Sequence, residues 1–156
     1  MRILFAGGGT AGHINPAVAV AKYIKKQLPE SEILFVGTER GLEKELVPKE
    51  GFAIRYIDVL GFKRGISPQN LTAAAKVLGA YGQSVKILRE FQPDVVMGTG
   101  GYVSGPVLAA AAREKIPTLI HEQNVFPGFT SKILSGMVDV VCISFAQSKG
   151  SFKNAK

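Results

Sequence analysis

The sequence predicts an α/β fold, a Rossmann-like doubly wound parallel sheet. Short β-rich runs alternate with helical patterns along all 156 residues, without internal repeat, low-complexity stretch or interior linker, and that alternation is the signature of parallel strands joined by crossover helices. Two of the strand-to-helix junctions are rich in glycine, at the places where such a sheet meets its ligands. A hydrophobic content of 46% in a chain of this length suits one globular core.

Taken in order, the expected strands are 2–6 (RILFA), 32–37 (EILFVG), 52–57 (FAIRYI), 94–97 (DVVM), 117–121 (PTLIH) and 139–143 (DVVCI). Helices are expected at 15–28, 40–49, 69–91, 104–114 and 128–136. In the first helix Ala17, Ala21, Ile24 and Leu28 recur at helical spacing as one apolar stripe, with Pro16 near the helix start. The helix at 69–91 carries two stripes. Leu71, Ala74, Leu78, Tyr81, Val85 and Leu88 form one, and Val77, Ala80, Ile87 and Phe91 form the other. Two apolar faces ask for two partners, either a sheet and a neighbouring helix or a core and a membrane. In the helix at 104–114, Ser104 is a candidate N-cap and Pro106 sits early, where proline is tolerated. Right-handed crossovers give the strand order 3-2-1-4-5-6, which makes the first and fourth strands neighbours at the switch point. The loops leaving both strands then flank one crevice. One domain is expected over 1–150, with the polar residues 151–156 as the start of a linker.

Bulk properties narrow the function classes. The single cysteine, Cys142, lies in the apolar run 138–143 and reads as a buried, inert thiol in a reducing compartment. The apolar start is too short for a signal peptide, and no run approaches the ~18 residues of a membrane span. The formal charge of +7 favours anionic partners. Its basic residues are dispersed, and no helix-turn-helix, zinc-finger or RNA-binding pattern accompanies them, so nucleic acid is not the expected partner. Nor is there a His, Cys and carboxylate cluster spaced for a metal, and no cofactor is expected.

Three motifs carry the chemistry. The first loop reads Gly7-Gly8-Gly9-Thr10-Ala11-Gly12-His13, in which Gly7, Gly9 and Gly12 satisfy G-x-G-x-x-G. Missing side chains let backbone amides and a helix N-terminus approach a phosphate. A dinucleotide would also need an acidic residue at the end of the second strand, but that strand ends Phe35-Val36-Gly37-Thr38, with Glu39 only beyond it. The second loop, Gly98-Thr99-Gly100-Gly101-Tyr102-Val103-Ser104-Gly105-Pro106, has more glycine than a turn needs, as an extended phosphate or sugar-phosphate ligand would explain. The fifth strand runs into His121-Glu122-Gln123-Asn124, and carboxylate and amide groups suit sugar hydroxyls. Here His121 is at least as consistent with a structural role as with a chemical one.

In this order and spacing, the runs Gly8 to His13, Gly100 to Pro106 and His121 to Asn124, with Leu46-Val47-Pro48 and Pro93-Asp94-Val95-Val96, resemble the N-terminal domain of the family 28 glycosyltransferases that build peptidoglycan. The likeness covers essentially the whole chain, with Ala11 standing where many relatives carry glycine. It implies the acceptor-binding half of a GT-B enzyme that moves N-acetylglucosamine from UDP-N-acetylglucosamine to the 4-hydroxyl of the muramoyl sugar in lipid I (undecaprenyl-pyrophosphoryl-N-acetylmuramoyl-pentapeptide), inverting the anomeric carbon. A C-terminal domain outside this sequence would hold most of the UDP-sugar site, so the chain alone is expected to be inactive. Inversion implies one displacement and a general base. His13 at its helix N-terminus is the first candidate and Glu122 the second, or an acceptor-orienting group. Gly9, Thr10, Ala11, Gly12, Gly101, Tyr102, Ser104, Gly105, Gln123 and Asn124 would bind or position ligand groups. Leu71 and Leu78 would touch the cytoplasmic face of the plasma membrane as a peripheral contact, with Lys63, Arg64, Lys76 and Lys132 drawn to anionic lipid at ~1 kcal/mol each. Two rivals remain: a stand-alone acceptor subunit of a split glycosyltransferase, as in the dolichol pathway, and a nucleotide-binding Rossmann module.

Overall fold

In β1 (Arg2–Gly7) every residue after the first is buried, because this strand lies at the middle of the sheet and has helices on both faces. The computed structural model describes residues 1–61 and 68–152. After β1 come α1 (Ala11–Gln27), β2 (Glu32–Gly37), α2 (Glu43–Lys49), β3 (Ala53–Tyr56), α3 (Pro68–Phe91), β4 (Val95–Gly100), α4 (Ser104–Arg113), β5 (Thr118–Glu122), α5 (Phe129–Leu134), β6 (Val140–Ile143) and a 3-10 turn (Ala146–Ser151). All pairings are parallel, and the strand order is β3-β2-β1-β4-β5-β6. This is the order that right-handed crossovers require.

Alternation along β1 splits the core in two. Ile3 and Phe5 face one layer with Ile14, Ala17, Val18 and Ala21 of α1 and Val47 of α2. Leu4 and Ala6 face the other, with α3, α4 and α5. On the first side Phe5 stacks on Phe35 at 5.1 Å between ring centres. Buried aromatics at this spacing add about 1 kcal/mol beyond area burial.

Several expectations are corrected. The first helix begins at Ala11, four residues early, so Pro16 lies inside it. It stops at Gln27, which leaves Leu28 exposed beyond the stripe. Ser104 is not the N-cap of α4; Val103 is, and Ser104 is the first helical residue. Cys142 is exposed rather than buried. It lies on the edge strand β6, where Val141 turns into the core and the alternate position faces out. Phe152 is buried within the larger core layer, so the fold continues past residue 150. Of the linker residues, 153–156 lie outside the described ones. Finally, α3 offers the core one stripe: Ala80, Ile87 and Leu88 are buried, with Val77, Tyr81, Val85 and Phe91 packed beside them. The other stripe is bare only at its start, where Leu71 and Leu78 are 80% and 77% exposed.

Candidate acceptor site

Both glycine loops leave the carboxyl ends of adjacent strands, because β1 pairs directly with β4 and the register shifts between Ala6 and Gly7 so that Gly7 faces Gly100. In the first loop Thr10 is the N-cap of α1 with extended backbone and an exposed side chain that makes no capping bond. Its hydroxyl makes no hydrogen bond among the described residues. The backbone amides of Ala11 and Gly12 donate to no other group among the described residues, as the first turn of a helix leaves them.

His13 sits one turn inside α1, and its Nδ1 lies 3.2 Å from the carbonyl oxygen of Thr99. A carbonyl can only accept, so Nδ1 carries a proton, and in the neutral ring the lone pair lies on Nε2. The ring lies close against the second loop, since a methyl on Gly100 would fall 2.7 Å from Nδ1. That loop needs left-handed backbone at Gly100 (φ +105°) and Gly101 (φ +78°), and a side chain at Gly101 would also strike the carbonyl oxygen of Gly8. The two loops are therefore in contact. Ser104 fastens them: its buried hydroxyl accepts the Gly100 N–H at 3.2 Å and has the carbonyl oxygens of Ala6 and Gly100 within 2.8 and 2.9 Å for its one proton. Tyr102 lies over both Gly9 and Gly61, whose added methyls would come within 3.3 and 3.2 Å of its ring.

The cluster at the end of β5 divides into supports and free groups. The side-chain amide of Gln123 donates to the Thr99 carbonyl at 2.9 Å, on the oxygen that also receives His13, and to the His121 carbonyl at 3.0 Å. It also lies 3.2 Å from Nδ1 of His121. The two carbonyls take both amide protons, and on the other side of the His121 ring Nε2 faces Ser144 Oγ at 3.1 Å. Burial lowers the His121 pKa, partly opposed by the charge of Glu122.

Glu122 is buried and accepts hydrogen bonds from the Asn124 backbone and side chain at 3.0 and 2.8 Å and from the Gly128 amide at 3.2 Å. Burial alone would raise its pKa, but these bonds and one from Ser131 outweigh it and hold the carboxyl below its ordinary value. Its oxygens thus shape residues 123–128 and the start of α5. Asn124 keeps its amide oxygen and an exposed position.

Sequence reasoning missed Glu43. It is fully buried in the first turn of α2, where it accepts hydrogen bonds from the Gly9 amide at 2.9 Å, the Thr38 amide at 2.8 Å and the Thr38 hydroxyl at 2.9 Å. A methyl at Gly8 would come within 2.5 Å of it, and one at Gly37 or Gly41 would overlap it. The signal was present as two glycines, Gly37 and Gly41, spaced closely before an acidic residue at a helix start.

Beside the second loop runs an apolar groove between α3, α4 and α5, lined by Leu78, Tyr81, Tyr102, Pro106, Phe129 and Ile133. Within its lining Phe129 is 74% exposed, and Phe126, three residues earlier in the chain, is 90% exposed. Gly105, the remaining ligand candidate of the second loop, opens onto this groove instead of onto His13. Of the expected lipid-facing cations, Lys132 is exposed. Lys76 is already paired with both oxygens of Asp58 at 2.6 and 2.8 Å. Lys63 and Arg64 lie outside the described residues. Among the described residues no helix is long and apolar enough to cross a membrane, and no group of three metal-ligating side chains occurs.

Known proteins match this arrangement closely. The model of the glycosyltransferase family 28 N-terminal domain matches residues 3–143. The chain is 59% identical over 156 residues to a UDP-N-acetylglucosamine--N-acetylmuramyl-(pentapeptide) pyrophosphoryl-undecaprenol N-acetylglucosamine transferase of Caldanaerobacter subterraneus subsp. tengcongensis, covering 100% of this chain and 43% of that protein. It is 56% identical over 154 residues to the transferase of the same name from Acetivibrio thermocellus, covering 99% and 42%. The crystal structure of Acinetobacter baumannii MurG superposes with a TM-score of 0.82 at 34% identity, over 94% of this chain and 42% of that one. The chain thus spans about two-fifths of the length of the relatives it matches. With its sheet, its loops and its sequence all in agreement, the chain belongs to glycosyltransferase family 28, whose N-terminal domain it represents.

Proposed function

We propose that this chain is the acceptor-binding half of an inverting N-acetylglucosaminyltransferase that acts on lipid I. The observation that carries the reading is His13, held through Nδ1 by the Thr99 carbonyl so that Nε2 is the ring nitrogen left without a partner among the described residues, at the meeting of two glycine loops. In the reaction, Nε2 takes the proton of the muramoyl 4-hydroxyl as that oxygen attacks the anomeric carbon of UDP-N-acetylglucosamine. The new C–O bond forms as the bond to the diphosphate breaks, and UDP leaves with the electron pair. General bases of this kind contribute roughly 10²- to 10⁴-fold. Glu122 serves as a support for the acceptor loop and not as the base, because its lone pairs are engaged and its pKa is lowered. The second loop, with the Gly101 and Tyr102 amides unpaired among the described residues, receives the acceptor diphosphate. Thr10 and Asn124 hold sugar or peptide groups. The donor, UDP-N-acetylglucosamine, is held mainly by a C-terminal domain. The apolar groove and Leu71, Leu78 and Phe126 rest on an anionic membrane at its cytoplasmic face as a peripheral contact, with Lys132 near the headgroups.

The test is a parallel NMR titration of the isolated chain with a short-chain lipid I analogue, UDP-N-acetylglucosamine and NAD. The analogue is expected to shift His13, Gly101 to Gly105 and Asn124, with weak responses to both nucleotides and no sugar transfer by the chain alone. Tight NAD binding without an acceptor response would replace this reading with a nucleotide-binding module. Dinucleotide binding is disfavoured because Thr38, at the end of β2, is buried and occupied by Glu43.

A further inference from the structure

Glu43 is a fully buried carboxylate with no ion-pair partner among the described residues, and the proposed chemistry does not use it. Burying a charge is costly unless hydrogen bonds replace water. Three donors do so here: the Gly9 amide, the Thr38 amide and the Thr38 hydroxyl. Glycines from three separate segments, Gly8, Gly37 and Gly41, leave the space it fills. The arrangement is more specific than a helix cap, because one of the three donors belongs to the loop that carries Thr10 and His13. In a G-x-G-x-x-G loop open to a phosphate, the amide of the middle glycine would be among the donors offered to the anion. In this chain that amide already points at a carboxylate from behind.

We propose that Glu43 is a positioning residue of the acceptor site: it holds the first glycine loop by the Gly9 amide, withholds that amide from the ligand, and leaves the anionic diphosphate to the second loop. The proposal rests on the acceptor-binding reading above. Glu43 touches no substrate and acts through the loop. Its negative charge beneath Gly9 opposes a phosphate at that point, while the neutral hydroxyls of a sugar meet no such opposition.

The test is proton–nitrogen NMR of the chain titrated with inorganic pyrophosphate and with the short-chain lipid I analogue. In the unaltered protein, pyrophosphate is expected to move the amides of Gly101 and Tyr102 and leave Gly9 in place. A Gly9 response as large as that of Gly101 would overturn the proposal, and this arm needs no variant to fold. Glu43→Gln keeps the volume but replaces one acceptor oxygen by a donor. It is expected to shift the Gly9 amide proton upfield and to weaken analogue binding about tenfold, the size of one lost bond to a charged group. Thr38→Val, which removes one hydroxyl donor and leaves the Gly9 bond, is expected to lower stability while the Gly9 resonance and analogue affinity stay near their original values. Equal analogue affinity in the original and Glu43→Gln proteins would overturn the role of Glu43. A failure of the original protein to bind the analogue, with Gly9 still sensitive to Glu43→Gln, would instead overturn the acceptor reading on which the role depends.

Discussion

The two glycine loops read alike in sequence, yet their glycines serve different neighbours. In the first loop Gly7 makes room for the Thr99 hydroxyl and Gly8 for the Glu43 carboxylate. In the second, Gly98 gives way to Leu108 of the core at 2.5 Å, whereas Gly100 and Gly101 are required by left-handed backbone against His13 and Gly8. Much of the glycine that seemed to exceed a turn's needs is therefore internal packing, and the requirement for left-handed backbone narrows to Gly9 in the first loop and to Gly100 and Gly101 in the second. A glycine count overstates the size of a ligand site whenever side chains from neighbouring elements fill the space behind the loop.

The largest effect is expected at Gly101. Alanine there combines left-handed backbone, costing about 1–2 kcal/mol, with a clash against the Gly8 carbonyl oxygen, and overpacking of that kind adds about 1–3 kcal/mol. Thermal or denaturant unfolding is expected to show a loss of about 3 kcal/mol, together with loss of acceptor binding. Gly8→Ala tests the opposite loop. Its backbone lies outside the left-handed region, so only crowding against Glu43 remains, and the expected loss is about 1–3 kcal/mol. A Gly8→Ala cost equal to or above that of Gly101→Ala would break the distinction between the loops.

The sheet was legible because hydrophobic runs and their alternation with helical patterns are local signals, and right-handed crossovers then fix the order without further information. The positions of His13 and of both loops followed from that order. What sequence could not reveal were the long-range partners. Glu43 lies 34 residues from Gly9, and Ser104 reaches 98 residues back to Ala6. Ser104 followed a familiar capping pattern, but the helix starts one residue earlier than a cap at that position allows, which frees the hydroxyl for the other loop. Cys142 misled because apolar neighbours on an edge strand do not imply that both faces are covered.

Ser104→Ala is the next test in size. It removes the hydroxyl that ties the Ala6 carbonyl to Gly100 and leaves buried groups without their partner, at a cost of about 1–3 kcal/mol. The loss is expected to concentrate in the second loop, with faster amide exchange at Gly100 to Tyr102 and unchanged exchange at Gly9. Equal acceleration in both loops would mean that they open as one unit.

Acid is expected to produce the smallest and most selective effect. The pKa of His121 is lowered in the fold, so as pH falls below the ordinary value of 6.5 the unfolded chain takes up the proton first, and stability declines until the folded value is passed. The Glu122 pKa is also lowered, so its contribution is complete above the ordinary value of 4.5 and is lost as pH falls through the lower folded one. Both groups belong to the segment that supports the second loop, through Gln123 on the Thr99 carbonyl and Glu122 on Asn124 and Gly128. As pH falls from neutral to below 4.5, the protection of the Asn124 and Gly128 amides, taken relative to their intrinsic exchange rates at each pH, should therefore fall before that of Gly9. His121→Gln should remove the upper step and Glu122→Gln the lower, because each deletes the proton site responsible for it. If Gly9 loosens in step with Asn124, the β5 cluster supports both loops equally, and their independence ends at the Thr99 carbonyl they share.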